Sequence, residues 1–177
     1  MNALGLLDLF YMDESRVSMQ PVVPYAWQFR DEEVWMPSDT GGGLNCLAMI
    51  SRDHQCHFAT TTGSINGAFL EEQLDALSLQ VQNVTVVVLD NAPAHRAWCV
   101  KRRRAVWQER GLFLFYLPVY SPHLNLAETL WRHLKHLWLT PHDYLHEQTL
   151  FYQTRQALSA VGSLLHIHFA PPLLHIT

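Results

Sequence analysis

The amino-acid sequence lacks the features of membrane and secreted proteins. No apolar run approaches the roughly 20 residues that are needed to cross a bilayer. The N-terminus has no basic segment leading into an apolar core and a small-residue cleavage site, so no signal peptide is predicted. Cysteine is scarce, and its three occurrences are widely spaced, which fits reduced thiols: Cys46, Cys56 and Cys99. We therefore expect a cytoplasmic protein without a membrane partner.

Positive charge is also in short supply. Lysine and arginine total 12, aspartate and glutamate total 16, and the net charge is −4. Since affinity for phosphates comes largely from lysine and arginine, this balance argues mildly against a dedicated nucleic-acid binder. The basic residues are nevertheless clustered: Lys101, Arg102, Arg103 and Arg104 are consecutive, and Arg132 and Lys135 are close together. Taken alone, a run such as the first is usually a solvated helix face.

The sequence has no repeats or low-complexity tracts, and 177 residues with 49% apolar content suffice for one domain with a real core. Patterning predicts strands at 4–14, 25–29, 83–90 and 112–118, a hairpin over 44–63, and turns at 37–43 and 120–125. Asn66 is predicted to cap a helix whose buried face is Leu70, Leu74 and Leu77. Further helices are predicted over 94–110 and 126–139, with helical segments between 144 and 165.

This order of elements predicts an α/β fold: a mixed sheet of about five strands flanked by helices. The strand at 83–90 follows a helical crossover, so it is expected to pair in parallel.

Three carboxylates stand at the ends of predicted elements. Asp13 and Asp90 each end a strand, and Glu128 begins the long helix. An aspartate at a strand end is commonly a turn residue, and Asn125 followed by Glu128 is also a helix-capping pattern. Clustering the three would be unfavourable without a cation, because like charges raise one another's pKa. All-oxygen ligands with open positions suit Mg²⁺ or Mn²⁺, and two such ions could promote phosphodiester chemistry.

Three blocks of the sequence carry a family resemblance. They are YMDESRVSMQPVVPYAW at 11–27, VVVLDNAPAHRA at 86–97 and YLPVYSPHLNLAETLWRHLK at 116–135. Together they resemble the catalytic domain of DDE transposases, and more narrowly the mariner-related bacterial insertion-sequence group. The likeness runs from about residue 6 to residue 160.

The resemblance implies an RNase H-like fold and identifies Asp13, Asp90 and Glu128 as catalytic residues and metal ligands. It implies a cofactor of two Mg²⁺ or Mn²⁺ ions, and double-stranded DNA as the partner, both transposon ends and target. It also implies self-association in a transposition complex and a place at the nucleoid. One position departs from the family: Leu126 stands where a proline is usual, and that proline would preset the first helical turn.

The resemblance also suggests a domain organisation. Residues 1–165 would form the catalytic domain, and residues 166–177 a C-terminal tail. The N-terminal helix-turn-helix region that reads transposon ends in this family is expected to be absent.

Neighbouring residues are assigned supporting or DNA-binding roles. Asn91 and His95 accompany the second aspartate in the resembled block, and Asn125 precedes Glu128. His95 could reach a scissile phosphate, brace a ligand or make a local hydrogen bond. We expect Arg132 and Lys135, on the Glu128 face of the long helix, to contact DNA phosphates, together with the basic run from Lys101 to Arg104. The buried face of that helix would then be Leu126, Leu130, Leu134 and Leu137.

Adjacent strand residues point to opposite faces, so only one of Asp13 and Glu14 can face the metal. The family pattern and the alternation of Leu7, Leu9, Tyr11 and Asp13 both select Asp13.

The activity implied is cutting at transposon ends followed by strand transfer into target DNA, usually at TA dinucleotides. Two other functions are compatible with the same residues. One is a stand-alone RNase H-like nuclease acting on hybrids or branched DNA. The other is a catalytically silent transposase fragment that binds DNA or a full-length partner.

Overall fold

The computed structural model of the chain describes residues 7–22, 30, 41–119, 121 and 124–169. Its strands are β1 (Leu7–Ser18), β2 (Gly43–Ser51), β3 (Cys56–Thr61), β4 (Val84–Leu89) and β5 (Leu112–Tyr116). Its α-helices are α1 (Gly67–Ser78), α2 (Trp98–Glu109), α3 (Ala127–His133) and α4 (Glu147–Ala160). A π-helical turn over Leu134–Trp138 and a 3₁₀ segment over Pro141–Leu145 connect α3 to α4.

The strands form one mixed sheet in the order β3-β2-β1-β4-β5. The predicted hairpin of β2 and β3 is confirmed, β1 runs antiparallel to β2, and β1, β4 and β5 are parallel. Tyr11 of β1 lies opposite Val88 of β4, so two residues further along each chain come Asp13 and Asp90. The expected five-stranded sheet therefore brings these two carboxylates to the same edge.

Helices pack on both faces of the sheet. On one face, α1 and α2 bury Leu70, Leu74 and Trp107 against the inner strands. On the other face, α3 and α4 bury Leu130 and Leu150. The predicted cap of α1 is confirmed, since the Asn66 side chain accepts hydrogen bonds from the amides of Ala68 and Phe69.

The long helix predicted over 126–139 departs from regular α geometry. It changes to a π-helical turn after His133, and the amide of Leu139 donates to the carbonyl of Leu134, five residues back. A wider turn displaces the buried stripe further along the chain. Leu137, predicted to be buried, is therefore 67% exposed, and Leu139 is buried in its place.

Other element boundaries also differ from the predictions. The helix predicted from residue 94 begins at Trp98, because residues 92–97 form turns that start at Ala92. The first strand continues to Ser18, where it still pairs with Gly43 of β2.

Some predicted features lie outside the described residues. These are the strand at 25–29, most of the turn at 37–43, parts of the turn at 120–125, and residues 170–177. Within the described part, Ile167 is only 2% exposed and its carbonyl lies 2.8 Å from Nε2 of His54, so packing continues past residue 165. None of the helices that the structure describes is long and apolar enough to cross a membrane.

Candidate active site

Three elements that are distant in sequence converge on one cavity. Asp13 of β1, Asp90 immediately after β4, and Glu128 in the first turn of α3 all line a cavity of about 350 Å³. The remaining lining residues are Asn91, Leu117, Pro118, Val119, Ser121 and Asn125. The structure thus brings together the three carboxylates that the sequence singled out.

Asp13 is the most buried of the three carboxylates. Burial, together with the negative charges of Glu14 and Asp90, raises its pKa to about 7. The indole Nε1 of Trp131 donates a hydrogen bond of 3.1 Å to Oδ2 of Asp13. Trp131 belongs to α3, so this contact ties the helix that carries Glu128 to the strand that carries Asp13.

Asp90 is held through one of its two carboxylate oxygens. Oδ1 accepts a 2.9 Å hydrogen bond from the amide of Ala92 and lies 2.7 Å from Nδ1 of His95. Among the described residues, Oδ2 has no such partner. One oxygen therefore fixes the side chain and the other remains available to a ligand.

His95 joins Asp90 to Glu14. The His95 side chain is 0% exposed, and its Nε2 lies 3.0 Å from Oε2 of Glu14. Burial alone would lower its pKa, but the hydrogen bond and charge of Glu14 together with the charge of Asp90 raise it. Three roles were considered for His95: reaching a scissile phosphate, bracing a ligand or making a local hydrogen bond. The structure shows its contact with Asp90, a candidate metal ligand. The sequence predicted that Glu14 points to the opposite face from Asp13, but it did not predict that Glu14 contacts His95.

Asn125 connects the start of α3 to β1. Its side-chain Nδ2 donates to the carbonyl of Met12 (3.0 Å), and its Oδ1 accepts from the amide of Ala127 (3.1 Å). The capping position of α3 is Leu126 rather than Asn125, and Asn125 is buried. Asn125 therefore anchors the turn before Glu128 beside Asp13, while Glu128 itself is exposed at the cavity.

Asn91 plays a comparable part between β4 and β5. Its Nδ2 donates a 2.6 Å hydrogen bond to the carbonyl of Leu117. This bond holds the loop after Asp90 against the chain that leaves β5, and both sides of the contact line the cavity.

The four consecutive basic residues of α2, Lys101 to Arg104, have different surroundings. Arg103 pairs with Asp75 of α1 (2.6 Å), and Arg102 contacts Glu71 (3.3 Å) and stacks 4.8 Å from the ring centre of Trp98. Lys101 is exposed. Arg104 instead lies 5.7 Å from the ring centre of Tyr116, and no ion pair is found for it in the described part of the chain.

Arg132 and Lys135, the two residues of the long helix that are predicted to contact DNA, differ in their exposure to solvent. Arg132 is exposed and lines a second cavity with Glu128 and Thr129. Lys135 is half-buried, which lowers its pKa, and the nearby Asp13 carboxylate acts in the opposite direction.

The donor set fits a hard divalent cation. It consists of carboxylate oxygens only, and the mutual repulsion that contributes to the raised pKa of Asp13 is what a cation would relieve. In the described residues no three histidine, cysteine or acidic side chains form a ready-made metal cluster. Asp90 and Glu128 are both exposed, so binding of a shared cation would require the three carboxylates to move closer together.

A model of one protein family matches residues 8–150 of the chain, and its description is DDE superfamily endonuclease. The chain belongs to the DDE superfamily endonucleases. The expected membership of the DDE group is thereby confirmed. None of the curated protein sequences compared with the chain matches it.

Solved structures of similar architecture confirm the fold of this DDE endonuclease. The Mos1 mariner paired end complex with Mn matches with a TM-score of 0.61 and 14% identity, over 86% of this chain and 48% of that one. The catalytic domain of Mos1 mariner transposase matches with a TM-score of 0.54 and 15% identity, over 86% and 70% of the two chains. The catalytic core domain of BIV integrase matches with a TM-score of 0.57 and 12% identity, over 89% and 85%.

These likenesses agree with the RNase H-like class expected from the sequence. The DDE endonuclease chain spans 48% of the Mos1 chains in the strand transfer and paired-end complexes.

Proposed function

We propose that the chain is the catalytic domain of a transposase that cuts DNA at the ends of a mobile element and joins the freed 3′-hydroxyl to target DNA. One observation carries the proposal: in a DDE endonuclease, Asp13, Asp90 and Glu128 come from three separate elements and line one cavity. The resemblance to insertion-sequence transposases supports the same reading.

Divalent metal is part of the proposal. Asp13, Asp90 and Glu128 would hold two Mg²⁺ or Mn²⁺ ions, and structures of Mos1 complexes with Mn and with Mg support this choice. When bound, the ions would lower the pKa of the attacking water or hydroxyl and stabilise the leaving oxygen.

The chain's own residues would supply position and charge. Trp131 holds Oδ2 of Asp13, and His95 holds Oδ1 of Asp90, so that Oδ2 of Asp90 would remain available to an ion. Asn91 and Asn125 hold the loop after β4 and the start of α3 in place, so that the three carboxylates keep a common geometry. Leu117 and Pro118 add an apolar part to the cavity wall.

Double-stranded DNA is the proposed partner, with self-association of the protein in a transposition complex. A Mos1 paired-end complex contains the left transposon end, and this supports DNA as the partner. Because the net charge is −4, we expect weak, salt-sensitive binding that is indifferent to sequence.

We assign phosphate contact to Arg104 rather than to Arg103. Arg96 and Arg104 both lie 5.7 Å from the ring centre of Tyr116, whose hydroxyl donates to the carbonyl of His95 next to Asp90. Arg104→Ala is expected to weaken duplex binding and to reduce the slope of log affinity against log salt by about 1. Fluorescence anisotropy with a labelled duplex between about 50 and 200 mM NaCl measures that slope.

Arg103→Ala is the matched control, because its guanidinium already pairs with Asp75. It should lower the melting temperature and leave the salt slope unchanged. An unchanged slope in Arg104→Ala would remove Arg104 from the DNA-binding surface.

The proposed function is tested by offering the protein three labelled substrates with Mg²⁺, Mn²⁺ or EDTA. They are a duplex carrying the DNA that flanks the gene, searched first for inverted repeats, an RNA–DNA hybrid and a four-way junction. We expect metal-dependent nicking at the end of the repeat and joining of that end to a TA-containing plasmid. Cleavage confined to the hybrid or the junction would indicate a stand-alone nuclease, and no cleavage with either metal would indicate a silent fragment.

A further inference from the structure

Glu14 and His95 are tied to the active site without lining its cavity. Glu14 follows Asp13 in β1, and its side chain lies on the α2 side of the sheet, where it reaches the buried imidazole of His95. The contact joins residues that are 81 positions apart in sequence. A buried histidine with a carboxylate on each ring nitrogen is a specific arrangement, and the catalytic roles assigned above do not explain it.

Two contacts define which oxygen of Asp90 is held. Carbonyl and ionised carboxylate oxygens only accept hydrogen bonds, so each ring nitrogen of His95 acts as a donor. Nε2 donates to Oε2 of Glu14, and Nδ1 donates to the backbone carbonyl of Asp90 at 3.3 Å and has Oδ1 of the same residue as its ion-pair partner. The Ala92 amide and His95 Nδ1 converge on Oδ1 of Asp90 at 2.9 and 2.7 Å. These two contacts hold Oδ1, and no hydrogen bond or ion pair is found for Oδ2 among the described residues.

Glu14 in turn determines the orientation of the His95 ring. The χ2 torsion of a histidine is broad, so burial alone does not select one ring position. The 3.0 Å contact at Nε2 does select it, and the hydroxyl of Tyr116 holds the backbone of the same residue at 2.8 Å. Loss of the Glu14 contact would leave Nδ1 free to move off Oδ1 of Asp90.

We propose that Glu14 is a positioning residue that acts through His95 to present Oδ2 of Asp90 to the divalent ion. The inference rests on the proposed function, since it assigns an outer partner to a proposed metal ligand. Outer partners of this kind typically change metal affinity by about 10- to 100-fold when they are removed.

Two substitutions at the same position separate contact from charge. Glu14→Asp keeps the negative charge but withdraws the carboxylate by one methylene, so it no longer reaches Nε2. Glu14→Gln removes the charge but keeps a group that can accept from or donate to Nε2, so the ring stays in place. We expect the dissociation constant for Mn²⁺, measured by electron paramagnetic resonance titration, to rise about tenfold or more in Glu14→Asp and to stay near wild type in Glu14→Gln.

Glu72→Gln on the exposed side of α1 is the control for a surface charge and should bind Mn²⁺ as wild type does. Retained affinity in Glu14→Asp with loss in Glu14→Gln would show that charge matters and would overturn the proposal. Equal affinity in all four proteins would overturn it as well. Wild-type protein that binds no Mn²⁺ would instead contradict the proposed function, so the two failures are distinguishable.

Discussion

Replacing Asp90 with asparagine is expected to reduce metal-dependent strand cleavage by about a thousandfold or more. The substitution keeps the size of the side chain and the oxygen that accepts from Ala92, but it removes the charge that binds the cation. Metal ions contribute several kcal/mol of transition-state stabilisation, and about 1.36 kcal/mol corresponds to a tenfold change in rate. Single-turnover cleavage of the repeat-end duplex measures the loss.

The control for this substitution is Asp8→Asn. Asp8 lies in β1 as Asp13 does, but it faces Asn83 at 3.3 Å at the other end of the strand. The Asp8→Asn variant should cleave the repeat-end duplex at nearly the wild-type rate. Melting curves without metal should show that Asp90→Asn is folded. Cleavage by Asp90→Asn at the wild-type rate would exclude Asp90 from the chemistry.

The carboxylate positions were predictable because they depend on local patterns and on strand order. An apolar run such as Val86–Leu89 indicates a buried strand, and a polar residue directly after it must stand at the sheet edge. Parallel pairing of β1 and β4 then places Asp13 near Asp90 without any knowledge of side-chain geometry.

The contacts that support those carboxylates could not be predicted in the same way. Trp131 reaches Asp13 across 118 positions, and Asn125 reaches the Met12 carbonyl across 113. Such contacts depend on how α3 lies against β1, which no periodicity encodes. A polar residue beside a proposed catalytic one, as Glu14 is beside Asp13, was the only local signal of the His95 contact.

One misjudgement arose from assuming a regular helix. The periodicity of 3.6 residues placed Leu137 in the core, but the π-helical turn put Leu139 there. The consecutive basic residues on α2 suggested one surface, yet successive helical positions point about 100° apart. Arg103 therefore faces α1 and Arg104 faces β5.

Without divalent metal, the protein is expected to lose stability as the pH rises from about 4 to about 7. Folded Asp13 has a pKa of about 7, whereas the ordinary aspartate value is 3.8. Between these values the folded state holds a proton that the unfolded state has released, so unfolding becomes easier as the pH rises. His95 acts in the same direction, because its raised pKa gives stability below its ordinary value that is lost at higher pH. The pKa of Asp75 is lowered, so its contribution to stability changes only in acid, below the ordinary aspartate value of 3.8.

Mg²⁺ or Mn²⁺ should reverse this loss, but only where Asp13 can ionise. A cation competes with the proton for the carboxylate, so saturating metal is expected to raise the melting temperature clearly at pH 8 and hardly at pH 5. Asp13→Asn and Asp90→Asn should show little response at either pH, and Asp8→Asn should respond as wild type does. Differential scanning fluorimetry over that pH range provides the comparison. A rise in melting temperature of equal size at both pH values, or one that persists in Asp90→Asn, would place the bound cation elsewhere, because only ligands that exchange a proton for the metal make the stabilisation depend on pH.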